Sequence, residues 1–309
     1  MDSIKVFAPA SVSNVGPGFD IMGFAVNEPG DEIILRKSHS DKIEITKITG
    51  DGGKLPFDPQ KNTVTVGIKS LLNTLGIKAG LKIEIRKKMG IGSGLGSSAA
   101  SAVGGVFAAN EILDLKLSRD KLLKPAMHGE YIASKAMHAD NVAPALYGGF
   151  ILIRCYNPID IIKVPVAANL YCSLLYPDIE VKTSEARKLV KKSVSIHSAI
   201  SQAGNSASLI TALLTKDYKL LSRSIVDNFA EPYRAQLVKG YDKIRQAALD
   251  SGAINCNITG SGPSMFAFSR SKTKAEEIVK AMKKASSIFT KKNTTYVSKI
   301  NMNGPKILG

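Results

Sequence analysis

Four glycines at alternate positions, Gly90, Gly92, Gly94 and Gly96, are interleaved with Ile91, Ser93 and Leu95 and run into Ser97, Ser98 and the helix-like stretch Ala99-Ala100-Ser101. Glycine has no Cβ, so a chain spaced in this way can bring several backbone N–H groups close to one object. A helix beginning at the two serines would aim its positive end and its unpaired amides at the same spot. The chemistry on offer is anion binding, with phosphate the commonest occupant. Gly94-Leu95-Gly96-Ser97-Ser98-Ala99 also fits the dinucleotide fingerprint G-x-G-x-x-A. That site needs a strand buried on both faces and an acid about 20 residues on, at the end of a second strand. Here Leu81 to Lys88 alternates Leu81, Ile83 and Ile85 with Lys82, Glu84 and Arg86, which predicts one wet face, and Glu111 and Asp114 fall at the end of the same helix. No Gly-Lys-Ser/Thr closes a Walker loop either.

Two further Gly/Ser turns, Asn14-Val15-Gly16-Pro17-Gly18 and Gly260-Ser261-Gly262, exceed what connections between elements require. Phosphoryl transfer would use them, because it is mostly positioning and charge stabilisation around a nucleotide's phosphates and Mg²⁺. It asks for a phosphate cradle, a hydroxyl and a carboxylate for the metal, and anchors for the acceptor. Gly90 to Ser101 is the cradle, Ser97 or Ser98 offers the hydroxyl, and Glu130 the carboxylate. Asp20 follows the first turn, a polar cluster gathers His138, Asp140 and Asn141, and Arg187 and Arg234 are candidate anion grips. His128-x-Glu130 matches half of a zinc-deaminase signature, but the P-C-x-x-C half is missing, and His128 reads as a structural helix residue.

The elements that must carry these groups follow from periodicity. Strands are expected over 4–9, twice within 31–48, and over 81–88, 150–155, 170–175, 265–268 and 294–300. Helices are expected over 62–75, after Ser97, over 119–137, 183–192, 196–214 and 218–226, from 234 to 251 after an interruption at Glu231-Pro232-Tyr233-Arg234, and over 274–287. Helices interspersed with half-wet strands argue α+β rather than a doubly wound sheet. The Pro-dotted stretch 157–168 reads as a crossing between two domains, 1–165 and 166–309.

The chain has 309 residues and 44% apolar content, ordinary for a globular protein with a large core. No apolar run reaches the ~18 residues of a membrane span, and the first residues lack the basic and apolar regions of a secretion signal. Cys155, Cys172 and Cys256 have no metal-like spacing and read as thiols of a reducing compartment, the cytoplasm. The net charge of +16 raises the question of nucleic acid, but the lysines are scattered and there is no tryptophan to stack on bases. A lysine-rich solvated surface, with neither nucleic acid nor membrane as partner, is the expectation.

The segments P-A-S-V-S-N-V-G-P-G-F-D, G-L-G-S-S-A-A-S, H-A-D-N-V-A-P-A-L-Y-G-G and I-T-G-S-G-P-S closely resemble the motifs of the GHMP small-molecule kinases. With T-S-E-A-R and E-P-Y-R they resemble the homoserine kinases among them, in order along nearly the whole chain. The resemblance implies a two-domain architecture: an N-terminal ATP-binding domain like the second domain of ribosomal protein S5, and a ferredoxin-like C-terminal domain. It implies ATP- and Mg²⁺-dependent phosphorylation of the homoserine side-chain hydroxyl on the route to threonine, and it is compatible with a homodimer. Asn14, Asp20, His138 and Asn141 would line the amino-acid pocket, with Thr183, Arg187, Arg234 and Gly260 completing it from the second domain. Asn62 and Lys87 would lie near the base and ribose.

The residue types suit this carry-over. Homoserine is a zwitterion, so its pocket needs both signs: two arginines for the carboxylate and Asp20 for the ammonium. Mevalonate or shikimate, acceptors of other family members, would leave Asp20 without a partner. Asn141 is expected to orient the hydroxyl with Asp140 behind it, the γ-phosphate itself taking the proton; Ser98 and Glu130 are expected at the metal. Two positions depart from the family pattern, Gly90 and Lys191 standing where prolines are usual. The first is expected to loosen the entry of the phosphate loop.

Overall fold

The computed structural model of the chain describes residues 1–308. Strands β1 (Ser3–Ser13) and β2 (Met22–Ser38) form the long antiparallel pair of the first sheet. β1 runs past the expected end at Pro9: the ladder shifts register between Pro9 and Ser11, where proline has no N–H to give, and then resumes. β3 (Ile43–Thr49), α1 (Thr63–Leu75), β4 (Gly80–Arg86), α2 (Ser97–Ile112), α3 (Arg119–Ser134), α4 (Val142–Tyr147), β5 (Phe150–Tyr156) and β6 (Ile159–Val164) follow. The second sheet is built by β7 (Tyr171–Pro177), β8 (Asn257–Ile258), β9 (Met265–Ser269) and β10 (Asn293–Lys299) in the order β10-β7-β9-β8, and β11 (Lys306–Ile307) returns to pair with β1. Helices α5 (Thr183–Lys188), α6 (Ile196–Thr215), α7 (Tyr218–Ser224), α8 (Glu231–Arg234) and α9 (Tyr241–Asp250) lie between β7 and β8 in the chain, and α10 (Lys272–Ser286) after β9.

The α+β architecture expected from the sequence is present. Besides the longer β1, α5 ends at Lys188 rather than 192 and α9 starts at Tyr241 rather than 234, and four further stretches depart from expectation. β4 is not half wet: Lys82 is exposed, but Glu84 is buried and takes a 2.7 Å bond from Arg86 Nε, which holds its carboxyl below the usual range. What excludes a doubly wound sheet is instead the antiparallel ladder of β4 with β2, beside a parallel one with β3. The helix expected over 119–137 ends at Ser134, where Lys135 turns left-handed (φ 57°) and leaves His138 on a loop. The stretch 157–168 contains β6, hairpinned onto β5. Glu231–Arg234 is a helix of its own, followed by a 3₁₀ turn at Ala235–Leu237, rather than an interruption.

One apolar cluster joins the sheets. Phe24 on β2 lies 5.1 Å from Phe268 and 5.9 Å from Phe266, both on β9, and 6.0 Å from Phe150 on β5. All four rings are fully buried. Residues brought to the seam from both sheets are thus held on one packed core. No helix among the described residues is long and apolar enough to cross a membrane.

Candidate active site

A cleft of about 350 Å³ opens between the two sheets' loops, and its walls come from residues 13–141 on one side and 180–261 on the other. The phosphate-loop candidate forms its floor. Four successive carbonyls of that loop are turned into the protein. Gly92 accepts from Val181 N at 3.1 Å, Ser93 from Ser264 N at 3.1 Å, Gly94 from Thr259 Oγ1 at 2.9 Å and Leu95 from Ser11 N at 3.1 Å. Gly94 has φ 79°, and a Cβ there would stand 2.7 Å from the carbonyl oxygens of Thr259 and Gly262, so only glycine allows this approach. The first helical amides, those of Ser97, Ser98 and Ala99, donate to no protein group among the described residues, and the N-cap, Gly96, has no side chain to cap them. Such an open helix N-terminus is suited to a polyanion.

Lys87 borders the cleft, but its ammonium is turned inward. It pairs with the buried Asp31 and donates to Ser97 O and Ser101 Oγ, both at 2.8 Å. A buried charge needs such a set of partners, and the effect is to lock the first turn of α2 rather than to offer a cation to a ribose. Asn62, expected near the base, is the N-cap of α1: its side chain accepts from Val64 N at 3.1 Å and donates to Pro56 O at 3.0 Å. It does not line the cleft, nor do Gly90, Leu95, Ala99 and Ala100. Gly90 shows why proline's absence does not mean slack, since a Cβ would meet the Tyr176 ring at 2.5 Å.

Two carboxylates stand behind the loop. Glu130 on α3 accepts from Ser98 Oγ at 3.0 Å through one oxygen, while its other oxygen and the Ser97 hydroxyl are buried without a partner. Burial is the main cause that pushes the Glu130 carboxyl up to about 7. Asp140 is raised as well, by burial first and by the neighbouring Asp20 second. Beside it the Asn141 amide is clamped at both ends: Ser11 Oγ donates to its Oδ1 and its Nδ2 donates to Ser13 Oγ, each at 2.9 Å. Ser11 and Ser13 share one face of β1, two residues apart.

At the far end of the cleft Arg187 on α5 forms a two-pronged pair with Asp20, Nη1 to Oδ2 at 3.1 Å and Nη2 to Oδ1 at 2.9 Å. His138 Nδ1 lies 3.6 Å from Asp20, and burial lowers the imidazole's pKa, which favours its neutral form. Arg234 donates from Nη1 to Gly260 O at 2.7 Å, the same oxygen that Asn14 Nδ2 reaches at 3.1 Å. Thr183 Oγ1 lies 3.5 Å from Ser261 Oγ. Nε of both arginines is buried without a partner. Asn14, Val15 and Asp20 all have left-handed φ (71°, 47° and 61°), an uncommon state for side-chain-bearing residues, and rarest for a β-branched one.

The cleft therefore gathers Asn14, Asp20, Ser97, Ser98, Glu130, His138, Asp140, Asn141, Thr183, Arg187, Arg234 and Gly260 within one space. Residues 62–149 match the family model for the GHMP kinases N terminal domain, and residues 209–287 the model for the GHMP kinases C terminal. A homoserine kinase of Chlorobium phaeobacteroides is 43% identical with both chains covered fully, and one of Chloroherpeton thalassium is 46% identical over 91% of this chain and 92% of that one. The chain belongs to the homoserine kinase branch of the GHMP kinases. Among solved structures, a homoserine kinase from Cytophaga hutchinsonii superposes on this GHMP kinase with a TM-score of 0.97 at 50% identity, covering 100% of this chain and 98% of that one.

Several residues that line or support the kinase's cleft were not singled out from the sequence. Ser11 and Ser13 look like ordinary strand serines until Asn141 is folded against them. Phe19 became visible only in space: both guanidiniums lie over its ring, Arg187 at 5.7 Å and Arg234 at 5.2 Å. Tyr156 donates from its hydroxyl to Asp20 O at 2.5 Å and accepts from Ala139 N at 3.2 Å, tying the first Gly/Ser turn to the His138–Asn141 cluster.

Proposed function

We propose that this kinase transfers the γ-phosphoryl group of ATP to the side-chain hydroxyl of L-homoserine, giving O-phospho-L-homoserine and ADP by direct in-line displacement. The observation that carries this reading is the double-signed group at the acceptor end, Asp20 with Arg187 and Arg234, in the same cleft as the open amides of α2. Its charges suit a zwitterion: the guanidiniums take the carboxylate, Asp20 takes the ammonium, and the hydroxyl is left pointing towards the phosphates.

ATP's phosphates rest on the amides of Gly96 to Ser98, whose preorganised dipoles meet the charge that develops during transfer. The donor set fits a magnesium ion bound together with a nucleotide: Glu130 keeps one buried oxygen unpartnered and Ser98 lies against the other. Magnesium commonly takes one or two protein groups and completes its shell with phosphate and water. When bound, the ion would neutralise charge on the β- and γ-phosphates. Asn141, its amide fixed by Ser11 and Ser13, orients the homoserine oxygen towards the γ-phosphorus, and the γ-phosphate takes the proton. Asp140 stands behind it, a buried carboxyl raised first by desolvation and then by Asp20, and in this reading it takes no proton from the hydroxyl.

A coupled assay of ADP formation with homoserine, mevalonate and shikimate tests the reading. Turnover is expected with homoserine and only background with the other two, which leave Asp20 unmatched. No turnover with homoserine overturns it.

A further inference from the structure

Gln202 is an odd residue for its place. It sits on the inner face of α6, 4% exposed, on a helix whose other buried positions are Leu209, Ala212 and Leu213. All its polar atoms are engaged. Nε2 donates to Pro17 O at 2.8 Å and to Asp227 Oδ1 at 2.9 Å, and Oε1 accepts from Asn228 N at 2.7 Å. One turn along, Ser206 Oγ donates to the same Pro17 oxygen at 3.1 Å. Pro17 lies within the left-handed turn between Asn14 and Asp20. Asp227 in turn accepts from the amides of Phe229, Ala230 and Glu231 at 2.8, 3.0 and 2.7 Å, fixing the entry to α8. α8 ends in Arg234, and its Glu231 is anchored on the other side by Tyr241, Asn257 and Ile258.

We propose that Gln202 is a positioning residue of the acceptor pocket: its amide sets the distance between the turn that carries Asp20 and the helix that carries Arg234. The two groups come from segments more than 200 residues apart in the chain, and Gln202 is bonded to both segments at once. A turn with three strained residues holds its shape only through outside contacts, and an apolar side chain at 202 would supply none. The inference rests on homoserine being the acceptor.

The test compares wild type with Gln202→Met, close in length and unable to make the three bonds, and with Gln202→Glu. For Gln202→Met the KM for homoserine is expected to rise about tenfold, the scale of a lost pair of buried bonds, with the KM for ATP within about twofold of wild type. Gln202→Glu sets a second carboxylate against Asp227. It also removes the donor to Pro17 O, so its homoserine KM is expected to rise at least as much as that of Gln202→Met. Hydrogen exchange of the unliganded variants reads the link without substrate: faster exchange is expected in 14–20 and 227–234, with 91–103 unchanged. An unaltered homoserine KM, an equal rise in both KM values, or unaltered exchange in both segments overturns the proposal. A wild type inactive on homoserine would strike the substrate reading alone, and exchange would still decide the role of Gln202.

Discussion

Asp140 and Asn141 are adjacent in the chain, border the same cleft, and have opposite electrostatic characters. Asn141 is neutral and held at both ends by serines, whereas Asp140 is a buried carboxyl raised by desolvation and by Asp20. If orientation is the task, Asn141→Ala should lower kcat by about a hundredfold, the scale of a lost positioning contact, while Asp140→Asn keeps most of the activity. A loss of ~10³ or more in Asp140→Asn, with Asn141→Ala active, would make the aspartate a general base. Glu130 permits a cleaner reading because its carboxyl is pushed up to about 7. A carboxyl whose pKa rises on folding favours the folded state most below its unfolded pKa, and that contribution fades as pH rises through the folded value. Glu130→Gln removes the cost of the buried charge. In the absence of ligands, its Tm relative to wild type should therefore improve between pH 5.5 and 8. On the proposed magnesium site its turnover should fall, because an amide would not serve the ion as a carboxylate would. A Tm difference that stayed flat with pH would mean that water reaches Glu130 in the free enzyme.

At the scale of elements, the phosphate loop is a suspended backbone. Its carbonyls hang from Ser11 on β1, from Val181 beyond β7, and from Thr259 and Ser264 around the second Gly/Ser turn. Gly94→Ala puts a methyl 2.7 Å from two carbonyl oxygens at φ 79°, so the loop must part from the 259–262 turn. The KM for ATP should rise tenfold or more, and Tm should drop in the same protein, which calorimetry and ADP assays read together. The sequence showed this loop plainly, since Gly-x-Gly spacing before a serine-led helix is a local signal. It showed α1, β5, β9 and α10 to within a residue or two, but not that Asn62 caps α1. It did not show β6, which looked like a linker because Pro158 opens it, nor α8, which at four residues has no period to detect. The inward turn of the Lys87 ammonium was hidden for a different reason. Whether a lysine beside a loop faces a ribose or a buried aspartate 56 positions earlier depends on tertiary packing. Ser11, Ser13 and Tyr156 escaped notice for the same reason.

The molecule as a whole has one seam and one sign of charge. The seam is the ring cluster of Phe24, Phe150, Phe266 and Phe268, which makes the two halves of the cleft a single packed body. The sign is a net charge of +16, spread over lysines that mostly face solvent, with Lys182 and Arg187 on the rim and wall of the cleft. A diffuse positive field does not choose a substrate, but it raises the encounter rate of anions and leaves a zwitterion almost indifferent. The two substrates should therefore respond differently to salt. Raising ionic strength from about 0.05 to about 0.3 M shortens the screening length from roughly 14 to 6 Å, and kcat/KM for ATP should fall several-fold. Over the same range kcat/KM for homoserine, measured at saturating ATP, should change by less than about twofold, because the partners proposed for it, Asp20 and Arg187, are a short-range pair inside the cleft. Equal salt dependence for both substrates would place the effect on the protein's conformation instead of on the approach of the nucleotide. Replacing three or four lysines remote from the cleft with glutamine separates the two further: the ATP slope should become shallower, while Tm and the homoserine parameters stay where they were.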